Sequence, residues 1–475
     1  MIRLVLIVSV LFLAQVPAVA QQGSLPGLGD ANAVSLTQEY YLGRAWLMSF
    51  RRQAPILNDA QIQDYIEGLV YRLAETSQLR ERRLEVILVR NKSINAFAVP
   101  GGIVGVHSGL ILKAENEAQL ASVLAHELAH LSQRHFSRGV ENQKKSSAAS
   151  MAGLLGGLVL IAAGSADAGV GAMVGGQAAA MDSQLRYSRL HEQEADRIGV
   201  QNQAAAGLDP GGAAGMFTVM QADSRQYGAR PPEFLLTHPL TEKRIADARN
   251  RANTYPSKMY EDNPEFQLMR ARVELNFFDD SKEAVVHFRE KRKKGGRNAV
   301  AAQYGLIIAL TKNSEFDEAR KLLRPMREFA PSNMVYTLAE ANIDIESENF
   351  DAAITKLEKA LQLAPDSHPI TMYLSKAYYF AGRYTEAAAI LTKHSRIKPD
   401  DAYLWYLLAE DNGQAGNILG VHLARAEYFK LNGAMKQGIE QLNLALPLAR
   451  DNVMRERIQT RLVHFHNIAR ALEQL

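Results

Sequence analysis

Cysteine is absent from all 475 residues, which excludes disulfides and also a lipid anchor carried on a cysteine behind an export signal. The same absence would suit a reducing cytosol, so it assigns no compartment by itself. An excess of one charge is missing too. A formal net charge of +3 is close to balance at this length, and nothing in it calls for a nucleic-acid partner. The most basic stretch, Arg289-Glu-Lys-Arg-Lys-Lys294, reads as a solvated helix end. Long apolar runs are lacking as well. A bilayer requires roughly 20 consecutive apolar residues, and neither Leu4 to Leu13 nor the stretch 151 to 164 reaches that length. A chain of this size predicts two or more domains.

What is present begins with an address. Arg3, the apolar stretch Leu4 to Leu13 and the small-residue site Ala18-Val-Ala20 form a secretion signal over residues 1–20, with cleavage expected after Ala20. Residues 21–33, rich in Gly, Gln and Ala, read as a flexible leader. Export rests on this segment alone.

The richest chemistry lies in His126-Glu127-Leu128-Ala129-His130. On a helix, residues i and i+4 share a face, so His126 and His130 can reach one metal ion while Glu127 stands beside the attacking water as general base. That is the ligand pattern of a catalytic zinc site. The preceding run Asn116 to Ala125 has apolar residues at helical spacing, which puts the motif on an amphipathic helix. A third ligand is offered by Leu190 to Gly199, where Glu192 and Asp196 are again i and i+4. Glu192 would complete a His-His-Glu site, and Asp196 would hold a ligand imidazole by its second nitrogen. His107, His135 and His191 lack partner spacing, and Glu194, two residues from Glu192, should face elsewhere. His135 follows His130 by five residues and on a continuous helix would point off the ligand face.

Around this motif the pattern is mixed. Helical periodicity runs from about residue 34 through Ile62 to Leu73, then Leu84 to Val89 and Gly102 to Val106 read as strands. The segment Asn95 to Leu110 is either an edge strand that pairs with an extended peptide beside the metal or a buried hairpin. Residues 146–181 carry a single charge, Asp167, and so many Gly and Ala residues that they read as a flexible helical flap between the two ligand segments. A peptidase-type domain over 34–255 is expected. Pro256 and Pro264 mark the joint to the second half, residues 265–475.

That second half repeats. Phe316, Phe350 and Tyr384 are spaced by 34, as are Ala319, Ala353 and Ala387, and Pro331, Pro365 and Pro399. The unit resembles the tetratricopeptide repeat (TPR), a helix pair whose apolar face is buried only by stacking into a solenoid with a concave groove. After Pro399 the register breaks and Gly433-Ala-Met-Lys resumes at another spacing, which predicts an insertion or atypical capping helices.

Three motifs in order, Asn95 to Leu110, the HELAH helix and the Glu192/Asp196 segment, resemble the HtpX and CAAX-prenyl endopeptidase family of zinc metallopeptidases. With the repeats, the resemblance covers nearly the whole chain beyond the signal. It implies a mainly α protein, with an α+β zincin-type domain containing a small sheet followed by an α-solenoid of TPR units. It implies one Zn2+ per chain on His126, His130 and Glu192, with Glu127 as base and Asp196 behind the ligands. It favours the edge-strand reading, with Asn95, Phe97, Gly101 and Gly102 holding substrate. By the same resemblance His238, in Thr-His-Pro, is an additional and inhibitory zinc ligand, and Arg244 lies near the active site, where it would stabilise an oxyanion. The implied role is quality control and assembly of outer-membrane β-barrel proteins in the periplasm, by a protein soluble or peripherally attached to the outer membrane. Its partners would be unfolded or stalled barrel proteins and, through the TPR groove, the barrel assembly machinery. The rival reading is a TPR chaperone or adaptor whose zinc is structural.

Overall fold

Ser35 opens the first helix, α1 (Leu36–Gln53), through a reciprocal capping box with Gln38. The computed structural model describes residues 35–141, 189–226, 232–256, 258–296 and 298–473. The signal segment, the leader and the flap expected at 146–181 lie outside them. Asp59 caps α2 (Ala60–Thr76), whose Ile62, Ile66, Leu69, Val70 and Leu73 form a buried stripe at helical spacing.

A three-stranded sheet follows, β1 (Glu85–Val89), β2 (Ala96–Val99) and β3 (Ile103–His107), in the order β1-β3-β2. β1 runs parallel to the central β3 and β2 antiparallel to it. Every residue of β3 is buried. Gly101 and Gly102 turn β2 into β3 with φ of 85° and 81°, where a side chain is strained. A Cβ on Gly101 would stand 2.7 Å from the Glu39 carbonyl oxygen of α1. These glycines serve a tight turn, Gly101 pressed against α1 and Gly102 against the Arg83 carbonyl, which accounts for both of them without a substrate contact.

Seven further helices complete the described part of this half: α3 (Ser108–Lys113), α4 (Glu117–Ser132), α5 (His135–Glu141), α6 (Arg189–Ala205), α7 (Gly212–Gln226), α8 (Glu233–Thr237) and α9 (Glu242–Ala252). Asn116 caps α4 by accepting from the Gln119 amide, and α6 packs along α4. The contact is close because Gly199 has no side chain; a Cβ there would lie 3.1 Å from the His126 amide nitrogen.

Beyond residue 264 the chain is helical throughout: α10 (Pro264–Leu275), α11 (Ser281–Lys293), α12 (Ala299–Lys312), α13 (Phe316–Phe329), α14 (Met334–Glu346), α15 (Phe350–Leu363), α16 (His368–Phe380), α17 (Tyr384–His394), α18 (Ala402–Gln414), α19 (Ile418–Leu431), α20 (Met435–Ala445) and α21 (Asn452–Glu473). The aromatic column stands at the start of each second helix, and Ala319, Ala353 and Ala387 are wholly buried where paired helices touch. Two further columns keep the same period. Asn333, Ser367 and Asp401 cap the first helices through side-chain oxygens. Ser314, Glu348, Gly382 and Gly416 take positive φ between the paired helices.

The register does not break after Pro399. α18 and α19 start 34 residues after α16 and α17, and α21 starts 34 after α19. The period was hidden because Ile418 stands in the aromatic column, Val421 in the alanine column and Gly433 in the proline column. Among the described residues no insertion interrupts the period, and the atypical feature is the end, a short 3-10 turn at Leu446–Leu448 followed by a helix 22 residues long. One hydrophobic core runs from Leu57 through the α4 apolar face to Ile343, so both halves share it. The solenoid also curls back onto α2, where Arg272 grips Asp59 at 2.7 and 2.8 Å and donates to the Tyr373 hydroxyl at 2.8 Å.

Candidate metal centre

α4 presents His126 and His130 on one face one turn apart, and their Nε2 atoms lie 3.0 Å from each other. α6 brings Glu192 opposite, with carboxylate oxygens 3.5 Å from each of these nitrogens. His238 closes the cluster from the end of α8, its Nδ1 lying 3.4 Å from His126 Nε2 and 3.0 Å from Glu192 Oε1. Phe234 stacks on the His238 ring at 4.6 Å and helps to fix it. One ligand atom from each of the four residues falls within 4.8 Å of the others, and all four residues are buried.

These separations fit a cation. Ligands about 2.0–2.1 Å from a tetrahedrally coordinated ion stand about 3.3 Å apart. Without an ion, nitrogen lone pairs and a carboxylate would converge on one point. Among the described residues the electrostatics carry the same demand for positive charge. Burial disfavours the His126 cation, but Asp196 and Glu192 outweigh it and push the imidazole up to about 10. Burial raises the Glu192 carboxyl, yet His238 and His126 hold it well below the usual carboxylate range. His130 is held well below its ordinary value by burial and by the neighbouring His126 charge.

Around the cluster each remaining group has a place. Asp196 Oδ1 meets His126 Nδ1 at 3.0 Å, on the side away from the cluster centre. Arg244 is buried, contrary to the oxyanion role read for it. Its Nε and Nη2 grip Asp196 at 2.6 and 2.7 Å, and its Nη1 meets Glu192 at 2.9 Å and the Pro239 carbonyl at 2.8 Å. With these donors directed at protein oxygens, it braces the acidic groups. Glu127 sits beside the cluster with its oxygen 3.5 Å from His238 Nε2. Burial raises its carboxyl against the opposing pull of His238 and His126. Both of its oxygens are buried, and neither makes a side-chain hydrogen bond of close geometry among the described residues.

β2 is the edge of the sheet nearest this site, packed against α4. The His107 amide donates to the Asn95 carbonyl at 3.0 Å, so Asn95, Phe97 and Val99 direct their peptide groups at β3. The outward peptide groups belong to Ala96 and Ala98, and the Ala98 N–H faces the Glu127 carboxylate. Phe97 instead packs its ring against Trp46 and Phe50, under Gly105, whose missing side chain makes the room. Neither Asn95 nor Phe97, expected as substrate contacts, offers an outer edge to a peptide. Strand parity in Asn-Ala-Phe-Ala-Val-Pro was the available signal.

His135 is the other residue the sequence reading passed over. Its Nδ1 lies 2.8 Å from His130 Nδ1 and its Nε2 3.1 Å from Glu194. Burial holds its pKa down at about 4 against the pull of Glu194.

Residues 58–252 match the family described as "Peptidase family M48", and residues 344–410 match "Tetratricopeptide repeat". The chain is 36% identical over 435 residues to the "Beta-barrel assembly-enhancing protease" of Escherichia coli, covering 90% of this chain and 88% of that one. The chain belongs to peptidase family M48. The protein of the same description from Yersinia pestis is 33% identical over 425 residues, covering 89% and 87%. "Mitochondrial metalloendopeptidase OMA1" of Schizosaccharomyces pombe is 31% identical over 185 residues, 38% of this chain and 50% of the relative. This M48 member is a metallopeptidase joined to TPR units, and the family implies a metal. No described helix is long and apolar enough to cross a membrane.

Proposed function

We propose that this M48 peptidase is a zinc-dependent endopeptidase of the periplasm, acting in the quality control and assembly of outer-membrane β-barrel proteins. The observation that carries the reading is the convergence of one donor atom each from His126, His130, Glu192 and His238 within 4.8 Å of one another, with Glu127 beside them 3.5 Å from His238 Nε2. An all-nitrogen and oxygen set of this spacing suits Zn2+. Bound there, the ion would supply Lewis acidity to a peptide carbonyl and acidify the attacking water. Glu127 takes the proton of that water and passes it to the leaving amine. Asp196 and Arg244 keep the ligands in register, and the outward Ala98 and Ala96 peptide groups can align an extended substrate.

His238 is the self-inhibitory gate. Its Nδ1 lies in the cluster while its Nε2 faces Glu127, which supports the reading, since one ring would then fill the solvent position and engage the base. Replacing it with alanine should raise cleavage of casein. The Glu127→Gln variant should lose about 100- to 10,000-fold in cleavage while retaining zinc. Stripping the metal with EDTA should abolish cleavage, and added zinc should restore it. Wild-type cleavage by metal-loaded Glu127→Gln would overturn the mechanism.

The export pattern of residues 1–20 supports the periplasmic assignment, and the name of the Escherichia coli relative supports the role in β-barrel assembly. The partner reading draws on an open cleft of 1190 Å³ between β1 and the repeats, with Tyr40 and Tyr71 on one wall and Tyr373, Tyr379, Tyr403 and Tyr406 on the other. It lies against β1, the sheet edge opposite the metal cluster, and suits an unfolded barrel segment or a component of the assembly machinery. That cleft also favours a second reading, a chaperone role independent of cleavage. Complementation that survives Glu127→Gln would establish it.

A further inference from the structure

The two α4 imidazoles are backed differently. His126 turns its outer nitrogen directly to a carboxylate, Asp196, as ligand histidines ordinarily do. His130 turns its outer nitrogen to another imidazole. If Nε2 of His130 faces the cluster, where it stands 3.0 Å from His126 Nε2, then in the neutral ring the proton resides on Nδ1. That N–H has His135 Nδ1 as its acceptor at 2.8 Å. His135 must then carry its own proton on Nε2, which donates to Glu194 at 3.1 Å. Arg138 Nη1 donates to the same Glu194 oxygen at 3.0 Å, close to solvent.

The backbone explains how a residue five positions on reaches back under the ligand. α4 ends at Ser132, and Arg134 adopts φ of 52°, a left-handed conformation uncommon for a residue with a side chain. The reversal sets His135 at the start of α5 beneath His130. Arg134 is held in place from α1, its Nε lying 2.9 Å and its Nη2 2.7 Å from Glu39, and Ser137 donates to the same carboxylate. His191 of α6 stacks on the His135 ring at 4.4 Å and 11°. Conformational strain and four side chains thus converge on the orientation of one ring.

We infer that His135 and Glu194 form a relay behind His130, with His135 a positioning residue that fixes the tautomer and orientation of a metal ligand and links it to a carboxylate at the surface. The inference rests on the reading of the cluster as a metal site. It assigns work to a histidine whose sequence spacing suggests none.

The test measures Zn2+ affinity of the full chain by competition with a chromophoric chelator, together with the visible spectrum of the Co2+-substituted protein. His135→Phe keeps a flat ring against His191 but removes the acceptor, and should weaken Zn2+ binding about 10- to 100-fold and alter the Co2+ bands. His135→Asn restores an acceptor near the Nδ1 position and should recover most of the affinity and the wild-type spectrum. Glu194→Gln should shift affinity a few-fold in the same direction. If the His135→Phe protein is not folded by circular dichroism, the Asn and Gln variants carry the comparison. Affinities and spectra equal to wild type in all folded variants would overturn the relay, as would equal losses for Phe and Asn. Failure of the wild type to bind Zn2+ or Co2+ would instead overturn the metal site beneath it.

Discussion

The two halves of this chain solve folding in opposite ways. In the repeats the same contact recurs every 34 residues: a capping Asn, Ser or Asp, a buried alanine at the helix crossing, and a left-handed turn at Ser314, Glu348, Gly382 and Gly416. In the peptidase half each important contact occurs once and joins residues far apart, Glu192 to His238, Asp196 to Arg244, Glu39 to Arg134. Repetition spreads stability over many equivalent neighbours. The metal cluster has no such redundancy, and its buried charges stand only while every partner is present.

The comparison can be broken hardest at Arg244. Arg244→Ala leaves Asp196 and Glu192 buried without their common cation and should cost about 3–5 kcal/mol in the metal-free protein. Urea unfolding with and without zinc measures it. Arg244→Lys should recover little, since one ammonium cannot reproduce a fork gripping two carboxylates and a carbonyl. A metal-free Arg244→Ala protein as stable as wild type would show that the cluster does not need its brace.

A smaller effect is expected in the solenoid. Ala353→Leu forces a larger side chain into a fully buried helix crossing and should cost about 1–3 kcal/mol, with peptidase activity intact if the damage stays within one repeat. Simultaneous loss of cleavage would mean that the core shared by the halves transmits the change. The smallest effect concerns the turn column. Glu348→Gly relieves a left-handed conformation that costs about 1–2 kcal/mol in a side-chain residue. Glycine returns about 0.5–1 kcal/mol of that through unfolded-state freedom. A modest rise in the calorimetric midpoint is therefore expected, and a fall would show that the Glu348 side chain contributes more than its backbone strain.

Much of the site was legible in the chain. The i, i+4 spacing of His126 and His130, and of Glu192 and Asp196, is geometry carried by any helix, so the chain alone puts these pairs on shared faces. Family resemblance supplies His238 and Arg244 as neighbours of the site, while the grip of Arg244 on Asp196 is not legible in the chain, because a guanidinium's partners are chosen by packing across 48 residues of separation. The spacing of His135 points it off the ligand face only on a continuous helix, and the φ of 52° at Arg134 ends that helix. Asn95 and Phe97 were named where Ala96 and Ala98 turn outward, since the direction of a peptide group depends on pairing register with β3. In the repeats the period was visible only where large or small residues marked it, and it continued unseen past Pro399 because backbone spacing survives when the marking side chains change.

The amino-acid order alone determined the helix carrying the paired imidazoles, the acidic pair that meets it, and the period of the solenoid, because each is a local pattern whose geometry follows from helical rise and turn. Tertiary structure decided which carboxylate backs which ring, which strand edge faces the base, and how the solenoid returns to α2. Those are contacts between residues tens to hundreds of positions apart, and only the closing of the shared core brings them within bonding distance.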